Sequence, residues 1–284
     1  MFSKPANLPA FFLLFALSVV PLVAGISYAL LYSLGVVGAL KTGFTFHHWK
    51  KLFTENEVVF SFFYSAAIAV TSLCVSVTLS LWLALRNHHH FRKGPLSYLI
   101  YLPLAFPGIV AAFFFFQFLS KSGIVSRVLY QLNITHSINS FPDLINDRYG
   151  IGMIVTHCFL SLPFFILLFV NLIKTERIAE YLQLSSTLGA CKRKSAFRIA
   201  IPMLLRKSMP NLILYFIFMF GAYEIPILLG RSNPETVSVM AVRKLQKFNL
   251  LDIPQGYAVA ILYTAIVFTL IIIMLKRRKI AYDI

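Results

Sequence analysis

Apolar residues gather into six long runs, at 10–34, 58–85, 96–119, 151–173, 210–229 and 257–275, with polar and basic stretches between them. Crossing a hydrocarbon core takes about 20 residues of helix, and each run reaches that length. The pattern predicts an all-α polytopic membrane bundle of six transmembrane helices in a single transmembrane domain. Lys4 precedes the first run, which is too long for the core of a cleaved leader, so it is expected to stay as the first helix. Composition agrees: 58% of the 284 residues are hydrophobic, and the mean hydropathy is +0.78.

The net charge of +16 does not indicate nucleic acid. Basic residues flank membrane helices and set their orientation, and an apolar bundle leaves little surface for a duplex. With both termini in the cytosol, sixteen of the 26 Lys and Arg fall on the inner side, which favours that orientation. Cys74 and Cys158 lie in apolar runs and Cys191 in an inner loop, so no disulfide is expected. Phosphate-cradling loops carry Gly-Lys followed by a hydroxyl residue; no glycine here is followed by lysine. The chain is therefore not expected to hydrolyse nucleotide, and no catalytic residue is assigned.

The loops differ in kind. Residues 86–95 are short and inner, and residues 120–150 are long and outer. Within the outer loop, Ile124, Val128, Leu129 and Leu132 fit one face of a short interfacial helix. Trp49 and Trp82 sit near span ends, as belt residues do. His88-His89-His90 reads as a solvated loop, since adjacent side chains do not converge like spaced ligands. His47-His48 reads as an interfacial patch, and Phe113 to Phe116 as lipid or helix contact. No metal site is expected.

The longest inner segment, 174–208, carries Ile178, Tyr181, Leu182, Ser185 and Leu188 at helical spacing. Gly189 follows, where a helix can end on positive φ. A basic helical stretch then leads to Pro202, which either begins a helix or kinks a continuing one. The pattern allows two readings: a bent pair of helices that grips a soluble partner, or an amphipathic connector on the membrane surface.

The order of residues here resembles the signature loop of permease subunits of bacterial ABC importers of the type I fold. That loop reads Glu-Ala-Ala, three residues, Gly, nine residues, Ile, one residue, Leu-Pro. Here Gln183-Leu184-Ser185, Leu188-Gly189-Ala190 and Ile199-Ala200-Ile201-Pro202 keep the spacing, with Gln183 in place of the glutamate and Ile201 in place of the leucine. Leu102-Pro103-Leu104-Ala105-Phe106-Pro107-Gly108, Leu162-Pro163-Phe164 and Gly221-Ala222-Tyr223-Glu224-Ile225-Pro226 resemble the branch serving polyamines, thiamine and ferric iron.

The resemblance implies one permease domain over 1–284, with residues 1–57 as first helix and outer loop and 58–284 as core. It implies a coupling loop at about 174–208 that inserts into a cytosolic ABC ATPase subunit. That partner would bind ATP and Mg, while this chain holds no cofactor. It further implies a second permease subunit, homologous or identical, a periplasmic or extracellular solute-binding protein, and a place in the bacterial inner membrane among its lipids.

Polar groups within the spans are the remaining candidates. Glu224 is expected in the outer half of the fifth helix, between Gly221 and Pro226. A carboxylate at depth faces a wet cavity or a partner. It is either part of a solute pathway with Gly221 and Tyr223, favouring a cationic solute such as a polyamine, or an interfacial residue paired with Arg231. Pro107 and Pro163 interrupt helices, which marks either a pathway or a packing kink. His157 and Gln117 fit a cavity lining or an interhelical hydrogen bond. The competing function is a secondary transporter or channel that needs no ATPase. Paired halves or several intramembrane charges would mark it, and neither is visible here.

Overall fold

The computed structural model describes residues 8–38, 43–54, 56–87, 95–137, 140–247 and 249–282; His88 to His90 lie outside them. Every regular element among these residues is helical. Six helices are long and apolar enough to cross a membrane: Phe12–Ser33, Asn56–Asn87, Gly108–Gln131, Ile151–Thr175, Lys192–Phe220 and Ile253–Lys276. The predicted six-span, all-helical class therefore holds.

The chain divides into two compact units. One comprises residues 1–60 and 237–269. It holds α1 (Leu8–Ser33), α2 (His47–Thr54), α12 (Val237–Gln246) and most of α13 (Ile253–Tyr282). Tyr28 and Tyr32 of α1 pack on Tyr257 of α13, with ring centroids 6.0 and 4.6 Å apart. The Trp49 indole donates to Ser33 Oγ at 3.2 Å, so this aromatic is tied to the end of α1. Arg243 and Glu57 form an ion pair at 2.6 Å, and the buried Lys244 ammonium donates to Gln255 at 2.9 Å.

The other unit comprises residues 61–236 and 270–284. It contains most of α3 (Asn56–Asn87), then α4 (Pro95–Tyr101), α5 (Gly108–Leu119), α6 (Ile124–Gln131), α7 (Ile151–Thr175), α8 (Ile178–Thr187), α9 (Lys192–Ser195), α10 (Ile201–Phe220) and α11 (Glu224–Leu229). Its spine is α7, whose Phe165, Phe169 and Ile173 pack with Val77, Leu81 and Ala84 of α3 in one core cluster. Asp147 fixes where α7 begins. Its carboxylate accepts from the N–H groups of Tyr149, just before the helix, and Ile151, its first residue, at 3.0 and 2.9 Å, the second being a donor that the first turn leaves free.

Close approach of α3 and α7 rests on small residues. Ser61, Ser65, Ser72, Ser76 and Ser80 of α3 are all buried, and their spacing keeps them on one stripe. Ser76 and Ser161 hydroxyls share a hydrogen bond of 2.6 Å, and Ser80 Oγ donates to the Leu162 carbonyl at 3.2 Å. Between membrane helices, where lipid is as apolar as leucine, small faces and interhelical hydrogen bonds hold the pair together. Ser76→Leu should therefore force the helices apart, at a cost of about 1–3 kcal/mol. Thermal unfolding in detergent checks this, with Ser76→Ala, which loses only the shared hydrogen bond, expected to cost clearly less.

Two expected spans are drawn differently. The run 96–119 is broken into α4, a 3₁₀ turn at Pro103–Ala105, and α5, because Pro103 and Pro107 each lack a backbone donor and crowd the preceding turn. The run 210–229 was expected to be the fifth helix. Instead one helical path runs from Lys192 to Phe220, stops at Gly221, and resumes as the separate α11. Pro226 cannot bond the Ala222 carbonyl, which weakens the helix where Gly221 ends it. Pro163, expected to interrupt its helix, instead lies inside the unbroken α7, as Pro210 does inside α10. At the other end the helical path continues through Pro202: a π turn at Ala196–Ala200 precedes it and makes room for its ring.

Candidate functional site

The segment from Ile178 to Pro202 forms a hairpin of two short helices. Arg177, in the left-handed conformation with φ 49°, turns the chain out of α7 into α8. Ile178 is fully buried, and with Leu182 it roots the hairpin in the α3–α7 core together with Ala200 and Leu204. The far end of α8 closes in a Schellman turn. The Gly189 N–H donates to the Ser186 carbonyl at 3.1 Å and the Ala190 N–H to the Ser185 carbonyl at 3.0 Å. That motif needs one left-handed residue, and Gly189 supplies it with φ +80°. Space beside it is open, since a Cβ there would meet nothing within 4 Å.

The two arms are then pinned together. Ser185 and Ser195 are both buried, and their hydroxyls are hydrogen-bonded at 2.8 Å. The sequence marks Ser185 both by the helical stripe and by its place in the signature-like loop, whereas its partner Ser195, ten residues on, carries no signal of its own. Below the hairpin, Lys207 pairs with Glu176 at 3.1 Å.

With the base anchored and the tip capped, two leucines stand exposed toward the far end of α8 among the polar Gln183, Ser186 and Thr187. Leu188 is 81% exposed and Leu184 60%. Gln183 is exposed beside them, as are Lys192, Arg193, Lys194 and Arg198 on the second arm. Of the predicted loop residues, Gln183, Leu184, Leu188 and Gly189 form the exposed tip. Ser185 and Ala190 shape the turn, and Ile199 and Pro202 lie on the returning path.

The second candidate group comes together only in part. Glu224 opens α11 and lies against the first turn of α5. A Cβ added at Gly108 would sit 2.5 Å from Glu224 Oε2. Pro107 is the N-cap of α5, so the carboxylate faces a helix N-terminus, where unpaired N–H groups favour negative charge. Glu224 and Tyr223 are exposed and Gly221 is half-buried. Among the described residues no ion pair joins Glu224 to Arg231. Ile225 and Leu229 anchor α11 in a core cluster with Ile68, Ala112 and Met153. His157 is buried at 2% exposure on α7, and its Nε2 has no hydrogen-bond partner. Gln117 is exposed. Among the described residues no three His, Cys, Asp or Glu side chains converge as metal ligands.

Comparison with known proteins bears on both groups. Residues 76–277 match the family described as the binding-protein-dependent transport system inner membrane component. A thiamine transport system permease protein from Brucella suis is 28% identical over 65% of this chain and 32% of its own length. One from Brucella abortus is 27% identical over 74% of this chain and 37% of its own. This chain thus spans about a third of the length of those relatives. A molybdenum transport system permease protein from Azotobacter vinelandii is 24% identical over 67% of this chain and 79% of its own. Among solved structures, a chain of a bacterial ABC transporter involved in import of the acidic polysaccharide alginate superposes with a TM-score of 0.69. Its identity is 16%, and the match covers 95% of this chain and 93% of that one. The likeness shows a shared fold.

Proposed function

Because the chain belongs to the family of inner membrane components of binding-protein-dependent transport systems, we propose that it is the permease of an ATP-driven importer, with the α8–α9 hairpin as its drive point. In this reading the whole chain is one permease domain, with both termini in the cytosol and the hairpin on the same side. It works with a second permease, and a binding protein delivers solute from outside. A cytosolic ATPase partner binds ATP and Mg, and its closure pushes the hairpin. That motion passes along α10 and α7 into the core and switches access from one side of the membrane to the other.

One observation carries the proposal. Leu184 and Leu188 are left in the open on a hairpin whose base, turn and arms are all fixed. A large apolar side chain held out on a rigid support serves contact with another protein better than it serves the fold. The chain copurified with its ABC ATPase partner should retain that subunit through size exclusion. Loss of the ATPase from the intact, folded permease would contradict the reading.

For the solute path we propose Glu224, with Gly221, Tyr223, Pro107 and His157, and a cationic or amine solute. Support comes from the unpaired carboxylate at the break between α10 and α11. The relatives' names cite both thiamine and molybdenum, so the solute class rests on this residue. Glu224→Gln should lower uptake of a cationic amine about tenfold, roughly the worth of one charge-assisted hydrogen bond, while ATP hydrolysis continues. Uptake equal to wild type, measured with radiolabelled amine in vesicles of the whole transporter, would remove Glu224 from the path.

A further inference from the structure

A groove of about 830 Å³ opens between the loop end of α3 and the hairpin. Its floor is apolar and belongs to membrane-crossing helices: Leu81 and Leu85 on α3, Leu205 on α10. Its rim is basic, with Arg86 on one side and Lys192 and Arg193 on the other. None of the described residues lining it is acidic. Both guanidinium groups lie over aromatic rings, Arg86 over Trp82 at 5.6 Å and Arg193 over Phe197 at 6.0 Å. Trp82, itself 55% exposed, is of the type that settles at headgroup depth. It stands one helical turn before Arg86.

An apolar slot in the membrane that ends in fixed positive charge at the interface matches one kind of molecule. We propose that this groove binds one anionic phospholipid, its acyl chain along Leu81, Leu85 and Leu205 and its phosphate between Arg86, Lys192 and Arg193. Basic pockets between membrane helices hold acidic headgroups in this way, and the volume lies within the range of pockets that enclose a small organic ligand. A bound lipid there would wedge the hairpin against α3. The lipid would then be part of the support behind the exposed tip.

A soluble acidic protein surface would also be drawn to the rim, but it would leave the apolar floor uncovered. Lipid fills both parts, which is why the observations favour it.

Native mass spectrometry of the full chain, released from detergent holding equal amounts of phosphatidylglycerol and phosphatidylcholine with identical acyl chains, tests the site. One phosphatidylglycerol should be retained in preference. Replacing Arg86, Lys192 and Arg193 by Gln should reduce that retention about fivefold for each charge removed. Lys194→Gln with Arg198→Gln, which removes two charges from the same segment away from the groove, should leave it unchanged. Equal retention of the two lipids would overturn the proposal, and so would equal loss in the control pair. Displacement by inorganic phosphate would reduce the site to an anion contact without the chain. In a parallel copurification, loss of the ATPase subunit from the triple variant that still binds phosphatidylglycerol would overturn the proposal and assign the rim to a protein partner. Should the triple variant not fold, wild-type discrimination between the two lipids and the single Arg193→Gln variant still decide.

Discussion

Gly189→Val is expected to insert and fold normally yet abolish the link between ATP hydrolysis and uptake. The geometry makes the expectation specific. A side chain at 189 meets no neighbour within 4 Å, so it makes no clash. What it strains is the backbone: φ +80° closes the Schellman turn, and a β-branched residue held there costs about 1–3 kcal/mol. The chain can relieve that strain by opening the turn, because nothing packs against it. Opening the turn releases the bonds to the Ser185 and Ser186 carbonyls and swings Leu188 away from its present direction. Uptake in vesicles containing the whole transporter should fall at least about tenfold, while membrane insertion and thermal unfolding stay near wild type. Gly189→Asn provides the control, since Asn tolerates the left-handed region. It should keep most of the activity. Equal damage from Val and Asn, or none from either, would count against the turn as the working part.

Leu188→Asp should be more damaging still, and by a different route. Leu188 is 81% exposed, so its replacement removes almost nothing from the chain's own core. If it fills a pocket on the ATPase, the loss is the burial of one leucine, about 1.5–3 kcal/mol, with a carboxylate then left in an apolar pocket. Together these predict affinity for the ATPase at least about 100-fold weaker. Titrating the ATPase subunit onto vesicle-embedded permease reads this directly. Leu184→Asp, at a less exposed position on the same face, should weaken binding by less. An unchanged binding curve for both variants would leave the exposed leucines without a role in docking.

Much of this architecture could be read from the chain, for reasons that differ by residue. The spans were legible because a lipid core demands unbroken apolar runs, and the six runs meet that demand. Gly189 was legible because few residues other than glycine accept the left-handed turn that ends α8. The start of the fifth helix is hidden in the sequence because polarity there masks continuity. Lys192 to Lys207 is too basic to look like part of a span, yet the backbone carries its helical path through Pro202 by way of a π turn. Glu224 falls inside the apolar run that predicts that helix, while Gly221 and Pro226 mark the break that places it at the head of α11. The serine stripe of α3 was visible in the spacing of residues 61, 65, 72, 76 and 80 and went unread, since serine within a span signals little until its partner is known. Ser161 and Ser195 are such partners, and only folding brings them to Ser76 and Ser185.

The central claim is that this polypeptide moves solute only when another protein does work on the α8–α9 hairpin. Lipid vesicles containing the purified permeases, with solute and binding protein outside and ATP inside, test it most directly, with and without the ATPase subunit. The account predicts uphill accumulation only when the ATPase is present, lost again on Leu188→Asp. Accumulation against a gradient by the permeases alone would contradict it.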